Sequence, residues 1–112
     1  MDLEQSQTGR LRRELCGWLL IATGMIGTTA QAGDVFKGRE LYTMHCANCH
    51  GPTGVGVMPG APDLSRIETL MQPDLALLGS LKAGKNAMPA YVGILTNRDL
   101  LDVIVFMRTL TR

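Results

Sequence analysis

An all-α domain of three to five short helices is what this 112-residue sequence predicts. Three observations carry that expectation. Segments near 34–45, 73–83 and 97–110 set apolar residues at helical spacing between start and stop signals, while strand signals are weak. Aromatic residues make up only 4% of the chain, too few for a self-sufficient core in so small a domain. A bound group would complete the interior. The run Cys46-Ala47-Asn48-Cys49-His50 is Cys-x-x-Cys-His, the spacing of c-type haem attachment. Each thiol can add to a haem vinyl group, and the histidine that follows is held beneath the ring. The helices are expected to wrap around that group.

The N-terminus reads as a secretory signal, giving residues 1–32 as a cleaved peptide and 33–112 as the domain. Arg10, Arg12 and Arg13 form a positive leader, Leu15 to Ile26 an apolar stretch, and Ala30-Gln31-Ala32 a small-residue cleavage site. The stretch is short of the roughly 20 residues that a spanning helix needs, and Gly17, Gly24 and Gly27 interrupt it. No membrane span is therefore expected after cleavage. Cys16 leaves with the signal, so Cys46 and Cys49 remain as the mature cysteines. A periplasmic location follows, because haem attachment takes place outside the cytoplasm. The formal net charge is +1 with 19% charged residues and no basic stripe, which excludes nucleic acid as a partner.

Asp34 is placed to cap a first helix running to about His45, with Phe36, Leu41 and Tyr42 on its apolar side. Gly38 lies mid-helix, where glycine costs about 1 kcal/mol against alanine, and this points to a close helix crossing. Residues 51–62 form a loop rich in glycine and proline, suited to backbone lying against a flat ring. Residues 63–71 predict a short helix. Pro73 opens another at its first position, Gly84 closes it, and Leu75, Leu78 and Leu81 face inward. Residues 85–93 form a second loop. Thr96-x-x-Asp99 is a capping-box variant for a last helix over 97–110. Its run Val103 to Met107 is apolar nearly all round, so it needs two neighbours, namely the first helix and the haem.

Other uses of the cysteine pair fit less well. A disulfide would leave His50 unexplained. A zinc site lacks a second ligand pair, since His45 and His50 sit directly beside the cysteines. A thioredoxin-like role lacks a βαβ pattern. His50 is the expected proximal iron ligand through Nε2, with its other nitrogen on a carbonyl near Pro62. The candidates for the sixth position are Met44, Met58, Met71, Met88 and Met107. Met44 and Met107 fall within helices as packing residues, and Met71 reads as apolar filler. Met58 and Met88 both lie in loops and both precede proline. Met88 is favoured because Met58 is close to His50 in the chain and must pass the ring edge to reach its far face.

Taken together these residues resemble the class I, monohaem c-type cytochromes of small bacterial type. The resemblance rests on Gly38-x-x-Leu41-Tyr42, Cys46 to Gly51, Ala61-Pro62-Asp63-Leu64, Gly84 to Tyr91 and Phe106 to Leu110, and covers residues 33–112. It implies the small cytochrome c fold with N- and C-terminal helices crossing at Gly38 and Phe106. It also implies one haem c bound through Cys46 and Cys49, and iron held by His50 and Met88. The chain departs from the usual pattern at Leu95-Thr96-Asn97-Arg98, where an acidic cap sequence is common. It is similar, more narrowly, to the small cytochromes encoded with cytochrome cd1 nitrite reductases. The expected function is one-electron transport without catalysis, as a monomer. Redox proteins would be the partners, a cd1 nitrite reductase or a quinol-linked reductase among them. The alternatives are a haem enzyme or gas sensor with a displaceable sixth ligand, and an accessory factor in haem or reductase maturation.

Overall fold

Asp34 starts the first helix as its sequence context requires. In the computed structural model, which describes Gly27 and residues 32–112, its carboxylate accepts hydrogen bonds from the Phe36 and Lys37 amides at 2.9 and 3.1 Å. Five helices follow among the described residues: α1 Val35–His45, α2 Ala47–His50, α3 Ile67–Leu70, α4 Asp74–Ala83 and α5 Asn97–Arg108. There is no strand among them, only an isolated antiparallel bridge between Lys85 and Met88. The expectations placed on the export signal and on Cys16 fall outside the described residues.

The helices bury the stripes that their spacing dictates, with two corrections. On α1, Gly38, Leu41 and Tyr42 are buried but Phe36 is 75% exposed. At about 100° per residue, Phe36 stands roughly 140° away from Leu41 around the helix axis. On α4, Leu77 and Leu81 are buried, Leu78 is half-buried and Leu75 faces solvent. Pro73 is the N-cap of α4, one position before the expected one. The helix predicted over 63–71 shrinks to the single turn of α3. The cause is Asp63, whose carboxylate accepts from both the amide and the hydroxyl of Ser65 and so holds a turn in place of a helix start.

The closest packing is between α1 and α5. A Cβ added to Gly38 would overlap the Asp102 carbonyl oxygen and lie 3.0 Å from Phe106 Cβ, so only glycine admits the crossing. Tyr42 and Phe106 stack at 5.2 Å between centroids, tilted by 58°. Leu100, Val103 and Ile104 are almost wholly buried beneath them. Asp102 is 1% exposed, yet its carboxylate is satisfied: it accepts the Asp34 amide at 2.8 Å and pairs with Arg98 Nε at 3.4 Å. Helix α5 ends at Arg108, two residues before the expected Leu110. There the Thr109 and Leu110 amides turn to Phe106 and Met107 carbonyls, tightening the last turn.

The predicted capping box forms: Asp99 N donates to Thr96 Oγ1 at 3.1 Å, and Thr96 N donates to Asp99 Oδ2 at 3.0 Å. Lys37 adds an ion pair to Asp99 at 2.6 Å. The Lys37 hydrogen bond first, and then those from Thr96, hold the Asp99 carboxyl well below the usual carboxylate range. Its folded pKa is thus below its unfolded value of about 3.9, so its stabilising contribution is complete above about pH 5 and is lost as the pH falls toward the folded pKa. Urea midpoints of the holoprotein between pH 6 and 2 should fall less steeply for Asp99→Asn than for the parent. Parallel curves would remove Asp99 from the acid response.

Candidate functional site

Cys46 breaks the chain between α1 and α2. Its backbone leaves the helix at φ −121°, and its amide closes α1 on the Tyr42 carbonyl. Its own carbonyl then accepts the Cys49 and His50 amides at 3.1 and 2.9 Å, which closes one new turn. That turn puts Cys46 and Cys49 three residues apart on one face, both as half-buried free thiols. Burial, and then the neighbouring Cys49, push the Cys46 thiol up to about 11. Gly51 ends the turn at φ 74°, where a side chain would overlap the Val55 carbonyl. The buried Tyr42 hydroxyl donates to the Gly51 carbonyl at 2.7 Å and ties α1 to the residue after His50.

His50 Nδ1 lies 3.2 Å from the Pro62 carbonyl oxygen. With Nδ1–H donated there, Nε2 is the nitrogen left to bind a metal. The loop between these two residues is fastened to the same turn. The Val57 and Met58 amides both donate to the Cys49 carbonyl, at 3.0 and 3.1 Å, and Gly54 accepts the Leu64 amide at 2.9 Å. Met58 is half-buried on this strap.

Met88 is held by separate fastenings. It exchanges both backbone hydrogen bonds with Lys85, at 3.1 and 2.9 Å, around Asn86 at φ 53°. Gly84, at φ 71°, lets the chain fold back over itself: a Cβ there would come within 2.7 Å of Ala90 N and 2.8 Å of Met88 O. The Tyr91 amide donates to Leu81, and the Tyr91 hydroxyl donates to the His45 carbonyl at 2.7 Å. Burial, and then the two free cysteine thiols, raise the Tyr91 phenol above its ordinary value. Met88 is half-buried against the core.

The other sequence candidates separate clearly. Met107 is core, as expected for a helical packing residue. Met44 and Met71 are not packed, being 62% and 73% exposed. Met44 points away from the Gly38–Leu41–Tyr42 stripe, and Met71 follows the single turn of α3. His45 is exposed, with its ring edge-on to Tyr91 at 6.1 Å. Among the described residues no group of three or more histidine, cysteine or acidic side chains could hold a metal ion by itself.

The donors suit haem better than a bare metal. Two thiols on one face can form thioethers, and one imidazole and one thioether sulfur are axial ligands that haem iron accepts. The segments carrying them also expose apolar side chains, among them Val55, Val57, Val92 and Ile94. The sequence family described as "Cytochrome C oxidase, cbb3-type, subunit III" matches residues 33–107.

The chain belongs to the monohaem c-type cytochromes.

Cytochrome c6 of Thermosynechococcus vestitus is 34% identical to this cytochrome over 82 residues, covering 70% of the chain and 71% of that protein. CcoP, a cbb3-type cytochrome c oxidase subunit of Azospirillum sp., is 33% identical over 92 residues, or 75% of this chain and 31% of that subunit. The solved cytochrome c6 of the diatom Phaeodactylum tricornutum superposes with a TM-score of 0.60 at 29% identity, covering 69% of this chain and 93% of the diatom protein. The fold is therefore the small cytochrome c fold. The cofactor is covalent haem c, for which Cys46 and Cys49 have the required spacing. This cytochrome is an electron-transfer protein rather than an enzyme, and its partners are redox proteins. Among the described residues no helix is long and apolar enough to cross a membrane.

Two supports of the site escaped the sequence reading. Arg108 reaches back from α5 to the Leu70 and Gln72 carbonyls at 3.0 and 2.8 Å and to the Asp74 carboxylate, pinning the link between α3 and α4. Tyr91 spans 46 residues to His45. Local sequence marks neither contact, since the partners lie 34 to 46 residues away and all but the Asp74 carboxylate are backbone carbonyls. The basic residue in the last turn of α5 was the one visible hint for Arg108.

Proposed function

We propose that this cytochrome is a periplasmic one-electron carrier whose haem iron is held by His50 on one face and Met88 on the other. The observation that carries the reading is the separate fastening of the two methionine loops. Met58 sits on a strap that begins at the Cys49 carbonyl and runs to Pro62, which receives His50 Nδ1. Its backbone therefore follows the His50 side of the site. Met88 is fastened instead to Lys85, packs closely over Gly84 and, through Tyr91, is tied to the end of α1. A bound haem would supply one-electron redox chemistry at an iron that His50 and Met88 would hold, and with both residues as ligands no position would be left for a substrate. The chain contributes the oriented imidazole, a pre-set methionine and an apolar surround. Burial and methionine ligation both favour the reduced state.

Residues 1–32 serve in this reading as an export signal that is removed. The partners are respiratory reductases: a cytochrome cd1 nitrite reductase, by the narrower resemblance, or a quinol-linked reductase upstream. Likeness to an oxidase subunit supports a respiratory setting. A formal charge of +1 favours brief docking through a small, weakly charged surface.

Separate Met88→Ala and Met58→Ala variants test the ligand pair. The oxidised Met88→Ala holoprotein should lose the methionine–iron charge-transfer band, and its reduced form should bind carbon monoxide rapidly and completely. Met58→Ala should keep the band. Loss of the band in Met58→Ala alone would reverse the assignment.

A further inference from the structure

We infer that Tyr91 is the positioning residue for the sixth ligand, a brace whose hydroxyl latches the Met88 loop to the haem-attachment turn. This rests on Met88 being that ligand. Three features make Tyr91 a latch rather than a core aromatic. The residue is 7% exposed, and its hydroxyl finds a partner at 2.7 Å 46 residues away in the chain. The acceptor is the His45 carbonyl, the peptide that leads directly into Cys46. The backbone of Tyr91 is bound as well: its amide donates to Leu81, and its carbonyl accepts the Ile94 and Leu95 amides at 3.0 and 3.1 Å. Between Met88 and Tyr91 lie only Pro89 and Ala90, and Pro89 restricts the backbone there. The methionine thus stands three residues from a fixed point whose far end is the start of the cysteine motif.

The physical consequence concerns loop opening. For Met88 to leave the iron, the 84–90 turn must swing away, and the Tyr91–His45 hydrogen bond resists that motion alongside the iron–sulfur bond. Tyr42 offers an internal control. Its hydroxyl, more deeply buried than that of Tyr91, also donates at 2.7 Å to a backbone carbonyl, but that carbonyl is Gly51, on the His50 side. Removing either hydroxyl deletes one hydrogen bond of 2.7 Å, fully buried at Tyr42 and part-buried at Tyr91. Only one of the two bonds spans to the Met88 loop.

Tyr91→Phe and Tyr42→Phe holoproteins, each keeping its ring, should be compared by urea unfolding and by carbon monoxide binding to the reduced form. Both should lose some stability. In Tyr91→Phe the methionine–iron band should persist in the oxidised protein while carbon monoxide binds faster, on the order of five-fold, as loss of one net hydrogen bond to the closed state implies. Tyr42→Phe should bind it at the parent rate. An unchanged rate in Tyr91→Phe, or an equal rise in both variants, overturns the brace. A band that survives Met88→Ala overturns the ligand assignment and the brace with it. A band lost in Met88→Ala together with an unchanged Tyr91→Phe rate overturns the brace alone.

Discussion

Gly38→Ala is expected to destabilise the holoprotein by about 2 kcal/mol or more, the range for adding a methyl group to a packed interface. The local preference runs the other way, since alanine in a helix interior is worth about 1 kcal/mol over glycine. Packing wins because of what the new Cβ would meet. Its nearest neighbour is the Asp102 carbonyl oxygen, a backbone atom inside α5, with Phe106 Cβ at 3.0 Å behind it. A flexible side chain could step aside, but a helix carbonyl moves only if α5 moves. Separating α1 from α5 would loosen the Tyr42–Phe106 contact and the Asp34–Asp102 hydrogen bond together. For a domain of this size the melting temperature should fall by about 10 °C. A variant that melts at or above the parent temperature would show that the crossing tolerates a side chain.

The second large effect belongs to the cysteines. A Cys46→Ser, Cys49→Ser double variant should accumulate without covalent haem. Acid–acetone extraction would then remove all of its haem, while the parent retains the pigment on the polypeptide. Serine hydroxyls do not add to vinyl groups under conditions where thiols do, so the turn would keep its shape and lose its chemistry. Single variants should keep one thioether, with an altered pyridine haemochrome spectrum. Haem that resists extraction from the double variant would place attachment elsewhere in the chain.

Signals contained within a few residues were legible in the sequence. The Asp34 cap, the Thr96–Asp99 box and the Gly84 stop all formed where expected, because each is decided by bonds between near neighbours. Expectations that depended on distant neighbours fared less evenly. Phe36 and Leu75 are apolar and helical, yet the buried stripe of each helix runs elsewhere, and Met44 and Met71 lie on the surface instead of filling the interior. Residues 63–71 had helical spacing, but the Asp63 side chain captured Ser65 and delayed the helix to Ile67.

The sequence by itself determined the cofactor and the all-α class. A Cys-x-x-Cys-His run carries its chemistry in five consecutive residues, and amphipathic segments with caps declare themselves as helices. Tertiary structure alone decided how the two sides of the site are fastened. The Cys49 carbonyl holds the Met58 strap, and Tyr91 ties the Met88 loop to the His45 carbonyl, whereas the Pro62 carbonyl that receives His50 was already expected from the sequence. The Cys49 and His45 contacts both end on backbone carbonyls that no local motif singles out. Every residue carries such a carbonyl, so sequence cannot mark the one that is chosen. The folded chain selects it, by where Gly38 allows α1 and α5 to meet and where the glycine turns bring the loops back.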